Sequence, residues 1–157
     1  MHHLSSPRDT LTLVDAHHPL VGTWALTATE WKRSDGKHAN PFGEGAVGVL
    51  TYDAGGYMAA QIMRRDRPSV PQATPATIDS AFASAAAGFL SYFGTYETDD
   101  ADSVVVHTVI ASSFPPWVGG THRRRYAVEG DRLTLRDDLL TSDGVPVAAA
   151  TIWQRVA

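Results

Sequence analysis

His107, Arg124 and Glu30 are the side chains of this sequence best suited to moving a proton on a bound molecule. A neutral imidazole in apolar surroundings exchanges a proton near pH 7. A guanidinium can hold a carboxylate, an enolate or a phenolate. Glu30 could orient His107 or neutralise Arg124, and the phenols of Tyr52 and Tyr96 can donate to a carbonyl. Such a set suits proton transfer, elimination or cyclisation of a substrate held in one productive shape. The same residues also have a structural reading, in which Glu30 and Arg124 form a buried ion pair that only ties strands together.

Other chemistries find little support. The chain has no cysteine, so disulfides, thiolate metal sites and cysteine nucleophiles are excluded. It has no phosphate-cradling glycine loop with its lysine and no Gly-x-Ser-x-Gly elbow. Ser112-Ser113 lies near His107, but strand alternation offers no triad. The adjacent His17-His18 would point apart on a strand. A metal site would need His107, His122 and Glu30 to converge. We therefore expect no metal and no cofactor. The net charge of −4 over 157 residues leaves the basic runs Arg64-Arg65-Asp66-Arg67 and Arg123-Arg124-Arg125 isolated, which argues against nucleic acid as a partner. No apolar stretch approaches the ~20 residues of a membrane span. The first residues lack the apolar core of a secretion signal, so a cytoplasmic location is expected. A homodimer is compatible with this composition.

The elements that must position these residues are mostly strands. Turn clusters at Ser34-Asp35-Gly36-Lys37, Asp53-Ala54-Gly55-Gly56, Asp99-Asp100-Ala101-Asp102, Glu129-Gly130-Asp131 and Ser142-Asp143-Gly144 punctuate short β-rich segments. Strands are expected at 22–33, 46–53, 56–64, 94–99, 103–112, 120–128, 131–137 and 146–156. Residues 1–18 read as a loose lead-in and 19–157 as one domain. Short connections favour an all-β, closed antiparallel up-and-down barrel of about eight strands, because closure removes exposed edges. One amphipathic helix interrupts the series between the third and fourth strands. Thr74 is the expected N-cap and Pro75 the first helical residue, with Ile78, Phe82, Ala85, Ala86, Phe89 and Phe93 on one face. It would plug one end of the barrel or form a lid over its mouth.

Alternation then sorts side chains into an inner and an outer set. Trp24, Leu26, Ala28, Glu30 and Lys32 share one face. Tyr52, Met58, Ala60, Tyr96, His107, His122, Arg124, Tyr126, Leu133, Leu135 and Trp153 fall on the inner faces of later strands. Small residues among the inner set (Ala28, Gly48, Ala60, Gly94) leave room for one small ligand, although an eight-stranded barrel can also fill itself. Tyr52, Met58, Ala60, Gln61, Tyr96, Trp117, His122 and Tyr126 are the candidate ligand contacts. The expected partner is an apolar small molecule.

Leu20-Val21-Gly22-Thr23-Trp24 resembles the Gly-x-Trp opening of lipocalins, and Ile152-Trp153-Gln154-Arg155-Val156 resembles their last strand. The resemblance implies that Arg155 stacks on Trp24 at one barrel end. The chain is similar, more specifically, to short bacterial and fungal lipocalin-like domain proteins. The stretches that carry this are Pro41-Phe42-Gly43, Gly48-Val49-Leu50-Thr51-Tyr52, Gly56-Tyr57-Met58-Ala59-Ala60-Gln61, Tyr92-Phe93-Gly94-Thr95-Tyr96-Glu97 and Phe114-Pro115-Pro116-Trp117-Val118-Gly119. Arg124 matches an arginine of that family. His107-Thr108 stands where the family tends to have two histidines, His122 where glutamine is common, and Pro116 where asparagine precedes the loop tryptophan. Lipocalin-like barrels serve as carriers, and some as cofactor-free cyclases or isomerases.

Two functions follow as expectations. One is a cofactor-free isomerase, cyclase or lyase of secondary metabolism, with His107 as acid/base and Arg124 as anchor. The other is a non-catalytic carrier of a hydrophobic ligand. Catalysis requires His107, Arg124 and a tyrosine to face one open cavity. A carrier requires apolar walls and polar groups already paired with each other.

Overall fold

A computed structural model describes residues 13–37, 40–67, 74–140 and 143–157. Most of the expected lead-in, residues 1–12, lies outside them. Eight antiparallel strands run in sequence order around a closed barrel. They are β1 (Gly22–Arg33), β2 (Val47–Tyr52), β3 (Tyr57–Met63), β4 (Phe89–Asp99), β5 (Val104–Ser112), β6 (Thr121–Glu129), β7 (Arg132–Leu140) and β8 (Pro146–Arg155). A nine-residue helix, α1 (Ile78–Ala86), separates β3 from β4. A short 3-10 turn at Pro115–Trp117 separates β5 from β6.

The helix is shorter than the apolar spacing suggests, and β4 begins five residues before the expected strand. Its cap position is Thr77 rather than Thr74. Gly88 ends the run in a left-handed conformation (φ 70°), and its carbonyl accepts from the Arg64 N–H at 2.8 Å. A Cβ there would sit 1.9 Å from the Arg64 side chain. Beyond it Tyr92, Gly94 and Tyr96 alternate inward, so Phe93 is exposed on the outer wall instead of continuing a helical face. Ile78 and Phe82 are exposed as well, so α1 does not plug the barrel.

Two irregularities set which residues reach the interior. In β1, Leu26 pairs with Trp153 and Ala28 with Ile152, leaving Thr27 as an extra residue. Such a bulge reverses the side-chain phase beyond it. Trp24 points inward before it and Trp31 after it, while Glu30 and Lys32 turn to the solvent. The expectation that Glu30 faces the interior is thereby corrected. In β5, Ile110 is the extra residue opposite Phe93 and Gly94. Gly94 lies so close to this strand that a Cβ would approach the Thr108 carbonyl oxygen to 1.9 Å.

The barrel is packed in one half and hollow in the other. Trp24, Leu50, Tyr52, Tyr96, Val105, Leu133 and Trp153 are almost wholly buried in the packed half. The Tyr52 and Tyr96 rings lie 4.7 Å apart. Leu20, just outside β1, accepts a hydrogen bond from the Trp24 indole at 2.9 Å. The Arg155 guanidinium stacks 4.1 Å above that indole and donates to the carbonyls of Val21 and Pro19. The end of the barrel is thus closed as the terminal motifs implied.

Candidate functional site

The hollow half contains a cavity of about 430 Å³. That volume is at the small end of the range for drug-sized ligands. Aromatic rings supply much of its wall: Trp31 from β1, Phe42 from the β1–β2 connection, Phe89 from β4, and Phe114 and Trp117 from the 3-10 turn. Ile62, Leu90 and Leu139 add aliphatic surface. The turn is braced by edge-to-face packing of Trp117 on Phe114 at 5.9 Å and on Tyr92 at 5.5 Å. Pro115 and Pro116 preset its backbone, which aims the Trp117 ring at the barrel.

The polar part of the wall comes from β6 and β7. Strand alternation sends His122 and Arg124 inward and leaves Arg123 and Arg125 exposed. On β7 the same alternation carries Leu133, Leu135 and Asp137 to the inner face. Arg124 Nη1 lies 3.4 Å from Asp137 Oδ2, with both side chains mostly buried. Burial raises the Asp137 carboxyl above its ordinary value, outweighing the attraction of Arg124. Burial also opposes the Arg124 charge, but the Asp137 carboxylate beside it favours that charge, and the guanidinium stays protonated. Burial, with Arg124 beside it, holds His122 below the ordinary histidine value, hence neutral. Its ring is 4.3 Å from that of Trp117.

Three buried nitrogens around this cavity have no hydrogen-bond partner among the described residues: Trp31 Nε1, His122 Nε2 and Arg124 Nε. All three belong to cavity-lining residues. An unmet buried donor costs about 1–3 kcal/mol, so their concentration around one void marks that wall as rich in donors the protein itself does not satisfy.

His107 lies outside the cavity lining. It is completely buried, and both ring nitrogens are engaged. Nε2 is 2.6 Å from the Tyr52 hydroxyl and Nδ1 is 2.9 Å from the Tyr92 hydroxyl. Burial drives its pKa well below the ordinary histidine value, with Arg124 and His122 adding to the effect. A neutral imidazole carries one N–H, so one phenol donates to it and the other accepts from it. Burial raises both phenols too, so they stay protonated. Tyr92 stands between this cluster and the cavity, with Arg124 5.8 Å above its ring.

Of the residues singled out from the sequence, Trp117, His122 and Arg124 meet at the cavity. Tyr52, Met58, Ala60, Tyr96 and His107 belong to the packed core. The Tyr96 hydroxyl donates to the Asp53 carbonyl, and burial pushes its pKa up to about 12. Tyr126 is half-buried elsewhere, with its hydroxyl donating to Asp100 at 3.0 Å. Gln61 is exposed on the outer wall. Glu30 is also outside, beside Lys32, Arg125 and Arg136, and so cannot join His107 and His122 around a metal.

Sequence reasoning missed three residues. Asp137 continues the Leu133–Leu135 alternation and takes the place expected of Glu30 beside Arg124. Tyr92 was hidden by extending the helix through it, although Gly88 marks the break. Trp31 is out of phase with Trp24, which was the available sign of the bulge between them.

A sequence profile of the lipocalin-like domain matches residues 21–156, which spans the entire barrel. The chain belongs to the lipocalin-like domain family. A curated relative is the 4'-hydroxy-3'-methoxypropiophenone carrier protein of Aspergillus oryzae. It is 30% identical over 107 residues, covering 63% of this chain and 96% of the relative. Among the described residues no helix is long and apolar enough to cross a membrane.

Proposed function

We propose that this lipocalin-like barrel is a non-catalytic carrier, holding a small and largely apolar molecule in the cavity, with Trp117, His122 and Arg124 among its contacts. The observation that carries this reading is the position of His107. Both of its nitrogens are occupied by tyrosines, and it stands behind the cavity wall. The acid/base role expected of His107 would need one nitrogen free to meet a ligand. The histidine that does face the cavity, His122, has no carboxylate or phenol among the described residues hydrogen-bonded to it to relay a proton. Arg124 likewise faces Asp137. His107 and the Arg124–Asp137 pair are thus engaged with protein groups, as a carrier requires, and the cavity keeps three unpaired nitrogens for its ligand. The carrier relative supports the same reading.

Binding of the neutral fluorescent probe N-phenyl-1-naphthylamine tests it. The wild-type protein should bind the probe, and Leu139→Trp, which fills the cavity from β7, should weaken binding by about tenfold or more, or ~1.4 kcal/mol. His107→Gln, with the fold intact, should leave the affinity within about twofold. Probe binding that is indifferent to Leu139→Trp, with the fold intact by circular dichroism, would overturn the proposal.

A further inference from the structure

The three unpaired nitrogens say what kind of atom the ligand brings. Trp31 Nε1 and Arg124 Nε can only donate, and His122 is neutral and can donate or accept. They come from opposite sides of one short arc of the barrel. Trp31 pairs with Ala149, and Ala149 pairs with Asp137, the partner of Arg124. The three nitrogens are buried in the wall and meet no protein acceptor among the described residues. The three side chains already line the void, so a ligand oxygen seated against this arc has Trp31 Nε1 and Arg124 Nε as its donors, joined by His122 Nε2 in the tautomer that carries its proton there.

The charge of that oxygen follows from Asp137. Its carboxylate offsets Arg124 at 3.4 Å, so the arc holds donors with little net positive charge. A ligand anion would be drawn to the guanidinium but opposed by the buried carboxylate. A neutral acceptor such as a ketone or ether oxygen meets the donors without that opposition. We infer that the cavity selects apolar molecules bearing a neutral oxygen acceptor, read by Trp31, His122 and Arg124. This deepens the carrier reading and rests on it.

Three probes of equal carbon count separate the possibilities: propylbenzene, propiophenone and hydrocinnamate. Each is titrated against protein loaded with N-phenyl-1-naphthylamine at pH 7.5. Propiophenone should displace the dye with an affinity about tenfold above that of propylbenzene, as one or two hydrogen bonds allow. Hydrocinnamate should bind more weakly than propiophenone. Trp31→Phe, which keeps an aromatic ring and removes the N–H, should reduce the ketone-to-hydrocarbon ratio by about threefold or more. His122→Phe should reduce it as well. Equal affinity for ketone and hydrocarbon, tightest binding of hydrocinnamate, or a ratio unmoved in both variants would overturn this inference alone. Failure of all three probes to displace a dye whose binding Leu139→Trp weakens would overturn this inference and leave the carrier reading standing, whereas dye binding indifferent to Leu139→Trp would overturn both.

Discussion

His107 shows how burial decides the role of a versatile side chain. Its imidazole is held neutral far below the usual value of 6.5, and its two nitrogens are shared between two phenols. The unfolded chain takes up a proton near 6.5, and the folded chain does so only at much lower pH. The stability contributed by this difference is whole above about pH 6.5 and drains away as pH falls below it. Asp137 has the opposite sign, because its raised pKa favours the protonated folded state at lower pH. Chemical denaturation at pH 7 and pH 5 should therefore show wild type losing more stability than His107→Gln over that interval, up to the ceiling of about 2 kcal/mol set by the unfolded value of 6.5. An equal loss in both proteins would show that His107 is not the buried neutral group described here. Arg124 and Glu30 teach a related lesson. The arginine found its carboxylate partner on the adjacent strand, in Asp137, and Glu30 stayed in solvent.

At the scale of the strand, single inserted residues have the largest consequences. Thr27 shifts β1 by one position and so exchanges Glu30 for Trp31 in the interior. Ile110 does the equivalent in β5, beside the close approach of Gly94. Gly94 has no room for a methyl group because a backbone carbonyl, unlike a flexible side chain, cannot swing away. Gly94→Ala should destabilise the protein by about 2–4 kcal/mol, measured by urea denaturation. A loss under about 0.5 kcal/mol would mean that β4 and β5 separate easily there. The helix is held by little packing, because its apolar residues Ile78 and Phe82 are exposed.

The molecule as a whole divides its interior between stability and binding. One end is closed by the Trp24–Arg155 stack and filled with large side chains, and the other is left open around the cavity. A barrel of eight strands has room for only one of these uses at any level along its axis. Arg155 joins the first and last strands through its stack and through two carbonyls of the preceding loop. Arg155→Ala should cost about 2–3 kcal/mol in thermal or urea unfolding. It should leave dye binding nearly unchanged, because the closed end and the cavity lie in different halves. A loss of dye affinity comparable to that of Leu139→Trp would show that the two halves are coupled.

The order of the strands and their antiparallel closure were legible in the sequence, because turn residues and two-residue alternation are local signals, and the pairing of Trp24 with Arg155 was implied by the resemblance of the terminal motifs to those of lipocalins. So was the inward face of β6, which puts His122 and Arg124 in the cavity wall. The tertiary structure alone decided the rest. The bulge at Thr27 has no required residue type; the mismatched phase of Trp24 and Trp31 hints at one, but its position is fixed only when β1 is paired with β8. The Ala-rich run continues helically by composition, but Gly88 must pass against Arg64, and that contact turns Phe89–Asp99 into a strand that brings Tyr92 to His107. Inward direction is a property of one strand, whereas depth along the barrel depends on how all eight are staggered. That stagger seals His107 into the packed half and leaves Arg124 at the wall of the hollow one.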